Sequence, residues 1–266
     1  MALECNAAGS PTSAATTLLP MRESEQADTT LAQATASCTL SVLLPIYNER
    51  ATLLTLLERI RAVPVEKEIL IVDDASTDGT RALLRSEVEG KYPEVRVFYQ
   101  THNQGKGAAL RAAIPHATGA YCIVQDGDLE YDPQDYLTIL RAFQEQNADV
   151  VYGSRFLRGW PKMRPANKLI NILLAWMVRI FFRTPMTDEA TCYKAFRTDV
   201  LSSLPLTCRR FEFCPEVTAK VIRRGHRIVE VPIRYEARSM AQGKKIRWTD
   251  GLAAIWTLLK FRFARF

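Results

Sequence analysis

YCIVQDGDLEYDP, residues 121–133, is an apolar run that stops at two carboxylates, Asp126 and Asp128, with only Gly127 between them. A short apolar run closed by Asp and Gly reads as a buried strand running out into a loop. Oxygen ligands alone suit Mg²⁺ or Mn²⁺, and Glu130 adds a third carboxylate from the same side of an extended chain. Asp and Gly also form turns, so the stretch by itself is equally a plain turn. Its surroundings decide between the two.

Working outward, short apolar runs alternate with amphipathic stretches from Thr39 on: TLSVLLP, a helix from about Glu49 to Ala62, KEILIVDD, and a helix after Asp78. VRVFY, a helix through KGAALRAAI, YCIVQ itself, a helix after Pro133 and DVVYG continue the pattern. Apolar strands taking turns with helices predict an α/β protein whose mostly parallel sheet is covered on both faces. Ligands of such sheets gather at the carboxyl ends of the strands. The polar signatures IYNER, DDASTDGT and DGD all fall there. Of Asp73 and Asp74, one is expected to cap the following turn and the other to accept hydrogen bonds from a base or ribose.

The 266 residues carry a net charge of +6 and are 47% hydrophobic, enough for one large domain or two small ones with an ample core. Residues 1–38 hold four acids against one base, which leaves them at −3 and puts +9 on the remainder. That segment is rich in Ala, Ser and Thr and fits neither a signal nor a transit peptide, so it reads as a disordered leader. The expected organisation is therefore a leader at 1–38, one domain at 39–240 and an amphipathic docking segment at 241–266. Six cysteines without a C-x-x-C pair predict reduced thiols and a cytosolic setting.

LPIYNE, IVDDASTDGT, NQGKGAAL, QDGDLEYDP and VYGSRF, in this order and spacing, resemble glycosyltransferase family 2 with its GT-A fold. Within it, TDEATCYKAFR, FEFCPEVTAK and VPIRYEARSMAQGKKI resemble the polyprenyl-phosphate glycosyltransferases of the dolichyl-phosphate mannosyltransferase type, over roughly residues 40–260. The resemblance implies inverting transfer of a hexose from a nucleoside-diphosphate sugar to polyprenyl phosphate. GDP-mannose is the favoured donor and a UDP-hexose the alternative. It places Pro45, Tyr47 and Glu49 beside the nucleotide, with Val72 and Asp74 around the base. Asp126, Gly127 and Asp128 meet the diphosphate and its Mg²⁺ or Mn²⁺, with Glu130 as third metal ligand. Arg155 enters the active site from the next strand end as a catalytic, donor-binding cation beside Asp126 and Asp128, and Arg238 and Lys245 clamp phosphate late in the chain; QGKKI departs from the family's usual G-x-S-K, so Lys244 competes with Lys245.

Breaking a sugar C1–O bond leaves a diphosphate whose growing charge needs a divalent cation and fixed cationic donors. An acceptor phosphate arrives ionised, so no general base is required, and His102, His116 and His226 stand apart from the signature carboxylates. An enzyme with a soluble acceptor would need such a base, for which Glu212 and Glu216 are the candidates. A subunit that only binds nucleotide sugar would have no use for D-x-D. Lys106 in NQGKGAAL suits a donor contact and a plain helix start equally well.

From Arg155 to Arg183 the chain has seven Lys or Arg and no acid around LINILLAWMVRIFF. This stretch and the C-terminal IRWTDGLAAIWTLLKFRFARF predict helices lying in a membrane interface, peripheral on its cytosolic face, docked on lipid or on a small membrane subunit. Core packing is the competing reading for both. Arg164 and Lys168, four apart, are expected to bind the acceptor phosphate. Strand-end carboxylates argue against nucleic acid as a partner.

Overall fold

The computed structural model describes residues 40–238 and 248–266, so the leader at 1–38 and Lys244 and Lys245 lie outside the described residues. The strands are β1 (Leu40–Ile46), β2 (Lys67–Asp73), β3 (Val95–Tyr99), β4 (Tyr121–Val124), β5 (Val150–Ser154), β6 (Lys194–Arg197) and β7 (Ile228–Pro232). The helices among the described residues are α1 (Leu53–Arg61), α2 (Thr80–Glu87), α3 (Lys106–Ala113), α4 (Tyr136–Gln146), α5 (Pro165–Phe182), α6 (Thr198–Ser203), α7 (Phe213–Arg223) and α8 (Trp248–Phe263). One sheet takes the order β3-β2-β1-β4-β6-β5-β7. The five strands read from apolar runs are all present. The first helix begins at Leu53 and not near Glu49, because Asn48 turns the chain through a positive φ of 52° and is held by Ser76 and Thr77.

β1 pairs in parallel with β2 and β4, β2 with β3, and β5 with β7. β6 alone runs antiparallel, to β4 on one side and β5 on the other. It follows that β4 and β5 point the same way, and that β1, β2, β4 and β5 all end at the edge where β6 begins. The central strands are buried on both faces: Val42, Leu43 and Leu44 of β1 and Ile69, Leu70 and Ile71 of β2 have no exposed surface. Each such side chain contributes roughly 1.5–3 kcal/mol on leaving water, which makes the sheet a rigid frame for the loops at its edge.

α5 packs against α7 and α8, and α8 also lies on α7. Leu174, Met177 and Val178 of α5 face inward, whereas Leu169, Leu173, Trp176 and Ile180 form an exposed stripe at i, i+4, i+7 and i+11. Leu252, Trp256 and Phe263 of α8 are likewise exposed. The apolar run LINILLAWMVRIFF of α5 is interrupted by Arg179. With its N-terminal turn the helix reaches 18 residues with mean hydropathy 1.2, long and apolar enough to cross a membrane by length and composition, though 28% of it is buried against protein.

Candidate active site

Gly127 sits where β4 leaves the sheet and touches the loop after β1. A Cβ at this position would come within 2.6 Å of Ile46 Cδ1 and 3.1 Å of Glu49 Cγ, so only glycine lets the two loops close up. The Thr52 hydroxyl donates to Gly127 O at 2.8 Å and to the Glu49 carboxylate at 3.1 Å, tying the β1 and β4 ends together. Glu49 is nearly buried, and its N–H is taken by Thr80 Oγ1. The middle residue of the D-x-D stretch is therefore there for space.

Cations flank the carboxylates. Lys106 Nζ pairs with Asp126 Oδ1 and lies 3.4 Å from Cys192 Sγ. Arg238 reaches Glu49 at 3.2 Å through Nη1 and Asp128 at 3.5 Å through Nη2. Glu130 accepts from the Tyr235 hydroxyl at 3.0 Å and from Arg238 N at 2.9 Å. Burial would raise the Asp126 carboxyl, but the ammonium beside it outweighs this and holds it below the usual range. Asp128 goes the other way: burial first, then repulsion from Asp126 and Glu130, pushes it up to about 7. Among the described residues no three His, Cys, Asp or Glu side chains converge as a ready metal site. Each carboxylate instead has a protein partner: Asp126 has Lys106, Asp128 has Arg238 and Glu130 has Tyr235. The donor set nonetheless fits Mg²⁺ or Mn²⁺: it is all oxygen, and the crowding that lifts Asp128 is what a divalent cation relieves.

Of the residues expected to border the nucleotide, Pro45 and Val72 are register partners at the ends of β1 and β2, and Tyr47 follows, half-buried. Val72 is a core side chain. Both aspartates after β2 are spoken for. Asp73 accepts from Arg81 Nε at 2.6 Å and from Ser76 N at 3.2 Å, as a turn cap should. The Asp74 oxygens accept Gln104 N and Gly105 N, each at 2.7 Å, so the carboxylate expected at the base first of all anchors the NQGKG loop. Gly105 (φ 95°) and Gly107 press against the backbone of Arg209 and Arg210, where a Cβ would come within 2.6 and 2.9 Å. Gly107 N and Ala108 N donate to Arg210 O and Arg209 O. The N–H groups of Gly107 and Ala108 are thus already bonded, and the loop brings the Lys106 side chain to the site.

Arg155 follows β5 directly. Its Nε and Nη2 donate to the two oxygens of Asp188, each at 2.7 Å, and its backbone N adds a third bond at 2.9 Å. The guanidinium sits 5.1 Å from the Tyr235 ring centroid, and Tyr235 leads on to Glu130. Asp188 is held in turn from β7, because Glu230 accepts Thr187 N and Asp188 N at 2.7 and 2.9 Å. Neither Asp188 nor Glu230 was singled out from sequence; TDEATC carried the resemblance without naming a partner for Arg155.

Beside Glu130 and Arg155 opens a cavity of about 470 Å³, lined by Arg59, Arg155, Arg158 and Arg234 and by the acids Glu130, Asp132 and Glu236, with Trp160 at its side; Arg234 is paired with Asp132 and Asp135. Arg164 and Lys168 are not part of this lining. Arg164 is exposed just ahead of α5, and Lys168 Nζ lies 3.7 Å above the Trp160 ring. Glu212 and Glu216, the candidate bases, have structural partners. Glu212 accepts Arg209 N, while buried Glu216 accepts Thr207 N at 2.7 Å and pairs with Lys220 at 2.5 Å. The four described cysteines are free thiols.

A parallel α/β sheet with acids and cations at its carboxyl edge and an arginine-lined cavity alongside defines a phosphate-handling transferase class. The profile of Glycosyl transferase family 2 matches residues 41–204, and the chain belongs to that family. It is 32% identical over 243 residues to undecaprenyl-phosphate mannosyltransferase of Micrococcus luteus, covering 83% of this chain and 97% of that one. Dodecaprenyl-phosphate galacturonate synthase of Rhizobium johnstonii is 27% identical over 216 residues, covering 78% of this chain and 62% of that protein. Glucosyl-3-phosphoglycerate synthase of Mycobacterium tuberculosis, solved with Mn²⁺, UDP and phosphoglyceric acid, superposes with a TM-score of 0.66 at 19% identity over 89% of this chain and 82% of that one. The protein is a glycosyltransferase with the GT-A architecture.

Proposed function

We propose that this enzyme transfers a hexose, mannose by preference, from a nucleoside-diphosphate sugar to a polyprenyl phosphate, with inversion, on the cytosolic face of a membrane. The observation that carries this reading is the pairing of two sites across Glu130: acids with Arg238 and Lys106 on one side, and the four-arginine cavity on the other. Arginine forks suit a phosphate monoester, and that nucleophile needs no protein base. This agrees with Glu212 and Glu216 being engaged elsewhere, and it disfavours a soluble hydroxyl acceptor. The relatives' names share a polyprenyl or dolichol phosphate acceptor, and mannose recurs among them beside galacturonate.

In this reading Asp126, Asp128 and Glu130 hold one Mg²⁺ or Mn²⁺ that neutralises the departing diphosphate. Arg238 supports the same charge, Pro45, Tyr47 and Glu49 border the nucleotide, and Val72 and Asp74 shape its pocket from behind. Arg155, fixed by Asp188, points acceptor phosphate toward the sugar, and Arg158 shares that load. Arg164 and Lys168 meet the headgroup region beyond the cavity. Residues 241–266 form the second docking element, and the exposed stripe of α5 with Trp256 and Phe263 of α8 rests in the lipid interface.

Incubation with polyprenyl phosphate, Mg²⁺ or Mn²⁺ and radiolabelled GDP-mannose, UDP-glucose or UDP-N-acetylglucosamine, followed by organic extraction, tests the reading. Label from GDP-mannose is expected in the organic phase. Label that stays aqueous with every donor would overturn it.

A further inference from the structure

We infer that Lys106 is a displaceable counter-ion, which holds Asp126 in the free enzyme and passes to the donor diphosphate when metal and nucleotide arrive together. The inference rests on the donor site proposed above. Its ground is which parts of the site can move and which cannot.

The loop carrying Lys106 is fixed at every backbone position that matters. Asp74 grips Gln104 N and Gly105 N, the two glycines lie flat on residues 209–210, and Gly107 N and Ala108 N are bonded there as well. The long, flexible lysine side chain is left as the mobile element. Its ammonium has the Asp126 carboxylate as charge partner and the Cys192 thiol as neutral neighbour, at 3.4 Å. A thiol offers little competition, so the ammonium will follow the strongest nearby negative charge.

Charge then sets the order of events. Among the described residues Asp126 is paired with Lys106, and Asp128 with Arg238. A bare divalent cation must compete with an ammonium already seated on Asp126, and a bare nucleoside diphosphate must draw that ammonium away from a carboxylate. Bound together, the metal takes Asp126 and the diphosphate oxygens give the ammonium a new partner. Metal and nucleotide are therefore coupled, each raising the other's affinity by the same factor, and Lys106 carries a large share of that coupling.

The experiment titrates the full chain with Mn²⁺ alone and with saturating GDP or UDP, following free Mn²⁺ by electron paramagnetic resonance. Wild type is expected to bind Mn²⁺ at least about tenfold more tightly with a nucleotide than without. Lys106→Gln should bind bare Mn²⁺ about tenfold more tightly than wild type and lose most of the enhancement, since Asp126 is then unguarded. Lys106→Arg, which keeps a cation, should preserve the enhancement, and it carries the test should the Gln variant fail to fold by circular dichroism. A folded Gln variant with unchanged bare affinity and full enhancement overturns the handover while leaving the metal site standing. So does a folded Arg variant without enhancement. Wild type that binds no Mn²⁺ with either nucleotide overturns the metal site itself, and the inference with it.

Discussion

Replacing Asp188 by Ala strands the guanidinium of Arg155 in a place that water hardly reaches. Arg155 is 8% exposed and Asp188 fully buried, and the pair is joined by two charge-assisted bonds of 2.7 Å plus a backbone bond. Removing one partner of a buried ion pair typically costs about 3–5 kcal/mol, chiefly because the remaining charge loses its compensation. For a domain near this size each kcal/mol moves Tm by roughly 2–4 °C, so Asp188→Ala should melt about 6–20 °C below wild type in a calorimetric or circular-dichroism scan. The double variant Arg155→Met, Asp188→Leu removes both charges and should recover most of that loss, because buried pairs exchange for packed apolar groups at little net cost. Asp188→Asn keeps the shape of the side chain beside Arg155 but removes its charge and turns one of the two accepting oxygens into an NH2 donor. At a temperature where it stays folded, it should raise KM for polyprenyl phosphate and leave the donor KM unchanged. An Asp188→Ala protein that melts within a degree of wild type, or a double variant as unstable as the single one, would refute this account of Arg155.

Asp128→Asn should keep the fold and lower turnover by a factor on the order of a hundred or more, as loss of charge stabilisation at a leaving group does, and excess EDTA should silence wild type similarly. Since the Asp128 carboxyl is pushed up to about 7, affinity for Mn²⁺ should fall as pH drops below that value, a trend absent from the Asn variant in the same titration. Its folded value lies above the unfolded one of about 3.9, so the folded chain binds the extra proton between them and metal-free stability should decline as pH rises across that window, readable in melts at pH 4 to 8. Gly127→Ala, whose Cβ would come within 2.6 Å of Ile46 Cδ1, should cost about 1–3 kcal/mol in urea unfolding as the β1 and β4 loops are forced apart. Trp176 and Trp256, 55% and 67% exposed, should anchor the chain to anionic liposomes. Flotation should show wild type rising with the vesicles, less so at high salt, and the double Ala variant left behind.

The first half of the fold was legible because its strands are short, mostly apolar runs separated by amphipathic stretches, a pattern that a doubly covered parallel sheet requires. The second half was not. β6 carries Lys194 with no exposed surface, its ammonium bonded to Glu189 O at 2.6 Å and lying 3.5 Å above the Tyr152 ring. A lysine in the core breaks the apolar run by which strands are recognised. Asp188 was missed for a related reason: it reaches Arg155 only because β6 runs backwards between β4 and β5 and returns the preceding loop to the active edge. Asp74 was seen, but its bonds to residues some thirty positions on are set by tertiary approach, which local pattern does not encode. The D-x-D acids were readable through chemistry, and Arg155 and Arg238 through the family resemblance, whereas the pairings with Lys106 and Tyr235 emerge only when the strand ends are brought together.

The antiparallel course of β6 has a consequence for how such an enzyme diversifies. Residues 155–193, holding Arg155, the basic approach and all of α5, leave the sheet after β5 and re-enter it on the adjacent β6. Both junctions lie at one edge between neighbouring strands, and β1 to β4, with the nucleotide side and the D-x-D loop, are complete before the excursion begins. Under the function proposed above, the excursion is in effect a cassette for the acceptor. Lengthening or exchanging it should then alter what receives the sugar, while β1 to β4 keep their register. Grafting residues 156–187 from a relative with another acceptor, with Arg155 and Asp188 retained as the fixed seam, is the natural way to re-address this scaffold.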